Sequence, residues 1–298
     1  MLDRVESQIR VWIDELESRS VNELFVKLPK GKRLRAKLIL KIAGISDESI
    51  KLAAIIEMIH AASLLHDDVI DEAIMRRGVK SLNATEGSKQ AVMLGDILYS
   101  KGFEELVLFK KEIVSIVAGA VTKLSIGELM DVGLSKIFNP NIDEYMKMVY
   151  QKTAALIEAS AYSAAILAKK DEKVYAKYGR NLGIAFQIID DILDVVSNSK
   201  QLGKPVMADF EEGKTTLPYI YLYESLEDDD KDKLIKLHGV KLTEEQKLWI
   251  RKTMHKSGAL KKAKDYAKKL GDEAIALMVK EGEDTLVEIA TAMIERDF

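Results

Sequence analysis

An apolar repeat with a period near 3.6 residues runs along almost the whole chain, and this repeat restricts the fold to helices. Only 4 of the 298 residues are Pro, so long tracts contain no helix-breaking position. No stretch of alternating polar and apolar residues is long enough to predict a sheet. We therefore expect an all-α fold in a single domain over residues 1–298. Helical tracts are predicted at about 2–18, 46–71, 86–108, 110–134, 141–168 and 171–198, with polar loops at about 75–87 and 202–218.

Composition excludes several classes of protein. The net charge is −3, with both signs spread along the chain, which gives no basic footprint for nucleic acid and no polybasic membrane patch. The chain has no Cys, which excludes thiol chemistry and fits a cytoplasmic protein. The N-terminal segment mixes acids and bases, unlike a signal peptide, and no apolar run approaches the roughly 20 residues of a membrane span. We expect a cytoplasmic protein without stable membrane insertion.

Two acidic clusters lie inside apolar helical tracts, LLHDDVID at 64–71 and IIDDILDV at 188–195. A carboxylate in apolar surroundings loses solvation, and like charges nearby raise that cost. On a helix, Asp67 and Asp71 lie about 6 Å apart on one face, and the second cluster repeats this spacing. An ordinary solvated helix face would explain one acidic cluster. Two acidic clusters in the most apolar helices favour a functional site instead. If the clusters meet across a bundle, they form an oxygen-lined site for Mg²⁺ and substrate phosphates.

Basic residues follow both acidic clusters in the polar loops. Because six carboxylates leave excess negative charge beside a metal, bases at these positions indicate a polyanionic substrate, with diphosphate or triphosphate the natural candidate. Each base taken singly is equally well explained by solubility, but their grouping near the acids favours substrate binding. The groups are Arg76 and Arg77, then Lys204 and Lys214, and thirdly Lys32, Arg33 and Arg35.

Taken together, these motifs resemble those of the trans-type (head-to-tail) polyprenyl diphosphate synthases, which condense an allylic diphosphate with isopentenyl diphosphate. Each motif is weak alone, but their order and spacing are specific and they span most of the chain. The resemblance implies a homodimer with the isoprenoid synthase-type fold, a bundle of about ten or more helices around a deep central cavity. The matching segments are GKRLR at 31–35, HAASLLHDDVIDEAIMRRG at 60–78, KTA at 152–154, FQIIDDILD at 186–194, GKP at 203–205 and EGKTTLP at 212–218.

The resemblance also implies a role for each matching residue. About two or three Mg²⁺ ions per active site would grip the allylic diphosphate and stabilise the charge that grows on it as the C–O bond breaks. The metal ligands would be Asp67, Asp71 and Asp190, with Asp191 and Asp194 as further ligands and Asp68 in support. The allylic diphosphate would meet Arg76, Lys152, Lys204, Thr153, Gln187 and, as a weaker candidate, Lys214, whereas isopentenyl diphosphate would meet Lys32, Arg35, His60 and Arg77.

Three positions depart from the family pattern. Lys30 stands where a Gly is usual, and Ala36 follows Arg35 where a Pro is usual, so the loop near Lys32 is expected to differ. Asp131 stands where a Gln often follows GEL, which changes a polar contact expected in the cavity. None of these departures removes a charged group that the chemistry needs.

Product length is predicted from the helical turns before Asp67. An isoprene unit adds about 5 Å, close to one helical turn of about 5.4 Å, so each turn without a bulky side chain allows about one more condensation. Ala62 and Ser63 leave the first turn open, and Met58 and Ile59 lie one turn further back. We expect a medium or long product of the octaprenyl type, from hexaprenyl to nonaprenyl diphosphate, such as a quinone side-chain precursor. If neighbouring side chains close the space, geranylgeranyl or farnesyl diphosphate is the alternative.

Three other functions share part of this pattern. A class I terpene cyclase shares the first acidic motif. Its second metal-binding motif, however, normally consists of Asn, Ser and Glu, whereas this chain has DDILD. A di-iron carboxylate bundle needs two Glu-x-x-His motifs, and only EMIH at 57–60 fits. A non-catalytic synthase subunit would be expected to lack an acid or a base, and none of the expected ones is missing. A catalytic synthase is therefore favoured.

Overall fold

Helices form along almost all of the described chain, so the all-α prediction is confirmed. The computed structural model describes residues 1–196 and 206–295. The first elements are α1 (Leu2–Asp14), α2 (Arg19–Phe25), α3 (Leu34–Ala43), α4 (Asp47–Ile70), β1 (Met75–Arg76), β2 (Val79–Lys80), α5 (Leu82–Glu86), α6 (Ser88–Leu106) and α7 (Lys111–Leu134). They are followed by α8 (Ile142–Val149), a π-helix (Tyr150–Ala154), α9 (Ala155–Ala168), α10 (Glu172–Val196), α11 (Ala208–Glu211), α12 (Leu217–Ser225), α13 (Asp228–Lys236), α14 (Glu244–Ser257), α15 (Ala259–Glu281) and α16 (Asp284–Ile294).

The helices are grouped into two compact units. Unit 1 comprises residues 1–121 and 159–176, and unit 2 comprises residues 122–158 and 177–298. The first acidic cluster belongs to unit 1 and the second belongs to unit 2. The single domain over residues 1–298 and its deep central cavity stay predictions.

The central helix of unit 1 is α4, which begins at a capping box formed by Ser46. Its residues 52–59 are all buried, as expected for a helix that is apolar on nearly every side. The neighbouring α6 lies close along α4 because it presents Gly95 and Gly102 to it, and a Cβ at Gly95 would come 2.3 Å from the His66 ring. The packing of α1, α3 and α6 on α4 positions the acidic turns at its end.

The core of unit 2 forms around α10 and α12. Apolar side chains of α10 such as Ile188 and Ile192 are almost completely buried. Phe210 of α11 stacks on Tyr219 of α12, with the ring centroids 4.1 Å apart. The helices α14 and α15 pack against α12 and cover this core. The second acidic cluster therefore lies on a helix that is buried for most of its length.

The first helix is shorter than the apolar repeat predicts. It ends at Asp14 instead of about 18, and Glu17 adopts a left-handed conformation with φ of 50°. The side chain of Ser18 then accepts a hydrogen bond from the backbone N–H of Val21 and caps α2. The apolar spacing continues across this break, which is why periodicity alone gives one helix where the structure has two.

The loop predicted at about 75–87 contains a short β-hairpin and α5. Arg77 and Gly78 have φ of 53° and 79°, the positive values required at both central positions of a type I′ turn. The remaining difference is the π-helix, which lies inside the predicted helical tract at about 141–168. An i→i+5 turn has no strong signature in the apolar repeat, so the tract was predicted as α-helix.

Two of these helices, α4 and α7, are long and apolar enough to cross a membrane by length and composition alone. Two thirds of the most apolar window of α4 is buried within the protein, as in the core helix of a soluble domain. Only one third of the corresponding window of α7 is buried, so α7 presents an apolar surface. One or two helices of this kind are weak evidence for a membrane span.

Candidate active site

The first acidic cluster lies on the last turns of α4, and Arg76 of β1 contacts it. Arg76 Nη2 lies 2.8 Å from a carboxylate oxygen of Asp67, and Arg76 Nε donates to Asp68 over 2.6 Å. Asp71 ends the helix and is exposed. Arg76 lies on β1, before the hairpin turn, so the chain must reverse between the end of α4 at Ile70 and β1 to bring the guanidinium back beside the helix. The cluster is therefore partly neutralised by a base of its own unit.

Asp68 is the most buried carboxylate of this cluster, with only 4% of its surface exposed. Burial raises the pKa of Asp68, and the hydrogen bond and charge of Arg76 oppose that rise without cancelling it. Asn83 donates from its side-chain amide to the backbone carbonyls of Asp68 and Ala73, which fixes the chain after the helix. A further cation beside Asp68 would favour its charged form.

Three predicted substrate-binding residues, Arg35, His60 and Arg77, share one neighbourhood in unit 1. The Nε atom of Arg35 is buried and has no hydrogen-bond partner among the described residues. Burial lowers the pKa of Arg35 to about 10; the charge of Glu57 opposes this shift and the charge of Arg77 adds to it, and the guanidinium stays charged at neutral pH. Burial, and then the surrounding arginines, hold the pKa of His60 well below its usual value, so its ring is neutral. A buried cation with an unused donor is suited to binding an anion.

Glu57 orders the loop that precedes α3. One carboxylate oxygen accepts the backbone N–H of Ala36 over 3.0 Å, and the other lies 3.2 Å from a guanidinium nitrogen of Arg33. Arg33 also pairs with Glu6 over 2.5 Å and adopts a left-handed conformation with φ of 51°. A Pro in place of Ala36 has no N–H to donate, so this departure from the family pattern gives the first turn of α3 an extra hydrogen bond.

Gly31 allows the Arg77 guanidinium to lie against the same loop. A Cβ at Gly31 would come 2.6 Å from Arg77 Nη1. Lys32, the next residue, is exposed. Because Gly31 has no side chain, the guanidinium of Arg77 can lie against this loop.

The second acidic cluster lies near the end of α10 and is more buried than the first. Asp190 is half-buried, whereas Asp191 and Asp194 are 3% and 2% exposed. A side-chain oxygen of Asp194 accepts the backbone N–H of Asp209 over 3.3 Å, and its carbonyl accepts the N–H of Met207 over 2.8 Å. Asp194 therefore joins α10 to the start of α11.

Asp191 accepts protein hydrogen bonds on both of its carboxylate oxygens. Tyr145 donates its hydroxyl over 2.5 Å, and Gln187 donates its amide over 2.9 Å. The amide oxygen of Gln187 in turn accepts the Thr153 hydroxyl over 2.8 Å. Burial and the charge of Asp209 raise the pKa of Asp191 well above its usual value, although both donors oppose this shift. This network joins α8, the π-helix and α10.

Lys152 and Thr153 lie in the π-helix, a type of turn that is frequent at functional sites. Two glycines from flanking helices allow close contact with its backbone. A Cβ at Gly127 of α7 would come 2.3 Å from the Lys152 backbone nitrogen, and one at Gly183 of α10 would come 2.6 Å from the Cα of Ala154. The π-helix therefore packs against α7 and α10 at positions where neither glycine could carry a side chain without a clash.

A cavity of about 100 Å³ in unit 2 collects several of the predicted residues. The ammonium of Lys152 lies 2.6 Å from Asp131 and 2.9 Å from Glu128. Lys214 lies 2.9 Å from Glu212 at its own loop. Further lining residues are Tyr145, Thr153, Gln187, Asp191 and Asp209.

The donor chemistry of both clusters suits Mg²⁺, because every candidate ligand is a carboxylate oxygen. In the described ranges, no three acidic or His side chains converge on a position where the protein alone could hold a metal ion. Mg²⁺ typically retains waters and binds one or two carboxylates together with substrate phosphates. A helix that presents Asp67 and Asp71 therefore fits a metal ion that arrives with a diphosphate.

The four predicted chain-length residues differ in accessibility. Ala62, Ile59 and Met58 are at most 1% exposed, so they belong to the packed interior of unit 1. Ser63 is half-buried, and its hydroxyl donates to the backbone carbonyl of His60 over 2.8 Å. Ser63 lies one helical turn before Asp67 and is the more accessible of the two first-turn positions.

Several contributing residues were not found by sequence reasoning. Glu57, Glu128 and Tyr145 each contact a predicted site residue, but all are distant from it in sequence. Tyr145 precedes Lys152 by seven residues, which is two helical turns. This spacing is a sequence signal that would have placed Tyr145 on the same helix face as Lys152. Lys204 and the GKP segment lie outside the described residues.

Solved structures of prenyl-transferring enzymes closely resemble this chain. An octaprenyl pyrophosphate synthase from Helicobacter pylori matches with a TM-score of 0.95 and 42% identity, covering 99% of this chain and 98% of that one. A polyprenyl synthase from Caulobacter crescentus, complexed with calcium and isoprenyl diphosphate, matches with a TM-score of 0.87 and 30% identity, covering 100% and 98%. The protein is therefore a prenyltransferase with the fold of these enzymes.

Sequence comparisons identify the family. A short chain isoprenyl diphosphate synthase from Methanothermobacter thermautotrophicus is 38% identical over 221 residues, covering 70% of this chain and 68% of the relative. The sequence model of the polyprenyl synthetase family matches residues 19–254. This chain belongs to the polyprenyl synthetase family, as the motif pattern predicted.

Proposed function

We propose that the protein condenses an allylic diphosphate, such as farnesyl diphosphate, with isopentenyl diphosphate in a Mg²⁺-dependent reaction. The products are all-trans polyprenyl diphosphates from hexaprenyl to nonaprenyl length. The observation that carries the proposal is the cation neighbourhood of Arg35 and Arg77, in which a buried guanidinium nitrogen has no protein acceptor among the described residues. Such a group is stabilised by an anion with several acceptor oxygens, as in a diphosphate.

The two acidic clusters supply the metal ligands in this proposal. Asp67, Asp71 and Asp190 hold about two or three Mg²⁺ ions, whose chemistry is to neutralise the leaving diphosphate. Asp191 and Asp194 complete the second cluster, and Asp68 supports the first through its contact with Arg76. The calcium and isoprenyl diphosphate bound by the Caulobacter crescentus relative support this assignment.

The protein's own bases act on the two diphosphates. Arg76 and Lys152, with Lys204, stabilise charge on the allylic leaving group as its C–O bond breaks. Thr153, Gln187 and Lys214 lie in the cavity of unit 2 and contact the same substrate. The double bond of isopentenyl diphosphate then attacks the allylic cation, and the departed diphosphate accepts the proton that is lost. Isopentenyl diphosphate is bound by Lys32, Arg35, His60 and Arg77.

Gly31→Ala tests the assignment of Arg77 to isopentenyl diphosphate. The new Cβ would displace the end of a flexible guanidinium and no backbone, so the fold is expected to be unaffected. The KM for isopentenyl diphosphate is expected to rise about tenfold, as for a weakened charge-assisted hydrogen bond of about 1.4 kcal/mol. Steady-state kinetics measure this change. Gly119→Ala, whose Cβ meets nothing within 4 Å, is the matched control, and equal KM values for the two variants would contradict the assignment.

Product length is proposed to depend on the first turn before Asp67. Ser63→Phe places an aromatic ring at a half-buried position, so the products are expected to shorten towards geranylgeranyl diphosphate. Sizing the products by chromatography measures the shift, and Ser63→Ala should leave the distribution unchanged. Ala62→Phe is a poorer probe, because overpacking a completely buried site typically lowers stability by about 1–3 kcal/mol. An unchanged product length in Ser63→Phe would place the growing chain elsewhere.

Geranylgeranyl diphosphate is the second candidate product. The complete burial of Met58 and Ile59 favours it, because these side chains fill the turn beyond the first. The short chain synthase from Methanothermobacter thermautotrophicus supports the same alternative. The octaprenyl relative from Helicobacter pylori, with higher identity over nearly the whole chain, supports the longer product.

A cytoplasmic homodimer is the proposed form of the enzyme. Ile126, Leu129 and Val132 of α7 are 45%, 72% and 36% exposed, and their spacing of three residues gives a continuous apolar stripe. A second copy of the chain would remove this surface from water. Sedimentation equilibrium measures the assembly, and a single-protomer mass at micromolar concentration would contradict the dimer.

The proposed reaction is tested by incubating the purified protein with Mg²⁺, labelled isopentenyl diphosphate and farnesyl diphosphate. Linear products longer than the starter are expected with Mg²⁺, and none when the metal is chelated. A cyclised hydrocarbon would indicate a terpene cyclase instead. No extension of any allylic starter would indicate a non-catalytic subunit.

A further inference from the structure

The ammonium of Lys152 pairs with two carboxylates of α7. It lies 2.6 Å from Asp131 and 2.9 Å from Glu128, which are one helical turn apart on the same face of α7. The two acidic side chains are only 10% and 13% exposed, and that of Lys152 is 22% exposed. This burial weakens solvent screening, so the pairing is stronger than that of an ordinary surface ion pair.

The backbone enforces this pairing. Gly127, the residue before Glu128, allows α7 to approach the π-helix closely. A Cβ at Gly127 would lie 2.3 Å from the backbone nitrogen of Lys152. Both helices are therefore held with their charged side chains opposed.

The charge balance of the group opposes a negatively charged ligand. These three side chains by themselves, two carboxylates and one ammonium, carry a net charge of about −1. Two of the three ammonium donors point to carboxylates, and a diphosphate must compete for them.

We propose that Asp131 sets the affinity for the allylic diphosphate by competing with it for Lys152. The inference rests on the proposed function, in which Lys152 binds that diphosphate. On binding, Lys152 exchanges a carboxylate partner for a phosphate oxygen, and Asp131 makes this exchange less favourable. Asp131 is thus a residue that limits affinity through another side chain.

Asp131→Asn tests this inference, because Asn keeps the shape and removes the charge. The Kd of unreactive farnesyl thiodiphosphate, measured by calorimetry at fixed Mg²⁺, is expected to fall about fivefold, as for removal of a nearby like charge. The KM for farnesyl diphosphate should fall with it while kcat stays near wild type. In a Lys152→Met background the same substitution should give a clearly smaller gain, because only the direct repulsion between Asp131 and the diphosphate remains. Asp229→Asn on α13, an exposed acid outside the cavity, is the charge-matched control and should leave the Kd unchanged.

Two results would overturn the inference while leaving the condensation reaction intact. Weaker binding in Asp131→Asn would mean that the carboxylate orients Lys152 or binds the metal. An equal gain in the Lys152→Met background would mean that Asp131 acts without Lys152. If Lys152→Met alone leaves the Kd unchanged, the assignment of Lys152 to the diphosphate fails together with the inference. Failure of the whole proposed function would instead appear as the absence of any extended product.

Discussion

Replacing Asp67 with Ala is expected to lower kcat by about a thousandfold or more, because Asp67 is proposed to hold a metal ion that neutralises the leaving diphosphate. Arg76 keeps its partner Asp68 in this variant, so the hairpin and α4 should remain folded. Turnover with saturating Mg²⁺ and both substrates measures the loss. Circular dichroism and the thermal midpoint establish that the helices are intact.

The control for Asp67→Ala is Glu104→Ala, which removes an exposed acid from α6 in the same unit. Its turnover is expected to match that of the wild type, since a single exposed charge has a small effect. Residual activity of Asp67→Ala within about tenfold of wild type, equivalent to about 1.4 kcal/mol of barrier, would show that Asp67 is not a metal ligand.

Gly127→Ala is expected to destabilise the protein by about 2 kcal/mol, although replacing Gly by Ala inside a helix normally stabilises it by about 1 kcal/mol. The new Cβ would lie 2.3 Å from the Lys152 nitrogen and 2.7 Å from the Gln151 carbonyl carbon, and both are backbone atoms that cannot simply rotate away. Moving the π-helix displaces Lys152 and Thr153, so activity should fall by more than the loss of folded protein explains. Chemical denaturation and the specific activity of the folded fraction measure the two effects.

Gly133→Ala is the matched control, since it lies on the same helix and its Cβ meets nothing within 4 Å. It should be as stable as the wild type or slightly more so. Equal free energies of unfolding for Gly127→Ala and Gly133→Ala would contradict the close approach of α7 to the π-helix.

The apolar repeat was sufficient to predict the helical fold because burial of one helix face is a local property of the sequence. It could not place the ends of short helices. Ser18 caps α2, but an N-cap inside a continuing apolar pattern resembles an ordinary helix position. The hairpin at Arg77 and Gly78 was also missed, since two paired residues on each strand are too few for alternation to be recognised.

The sequence predicts charged residues for the candidate site, and that assignment stays a prediction, whereas the residues that contact them were not predicted. Asp67 and Asp71 are recognisable because their spacing is local. The partners of Lys152 and Asp191 are not, because Asp131 lies 21 residues from Lys152 and Tyr145 lies 46 residues from Asp191. Contacts of this kind depend on which helices pack together, and no local pattern in a single sequence indicates those pairs of helices.

The central claim is that both aspartate clusters are tolerated in apolar helices because divalent ions and a diphosphate neutralise them. It is tested most directly by a crystal structure of the protein with Mn²⁺, detected by its anomalous signal, and farnesyl thiodiphosphate. We expect metal ions about 2.0–2.2 Å from oxygens of Asp67, Asp71 and Asp190, each also bound to the diphosphate. Carboxylates that remain metal-free and open to bulk solvent at saturating ligand would contradict the account.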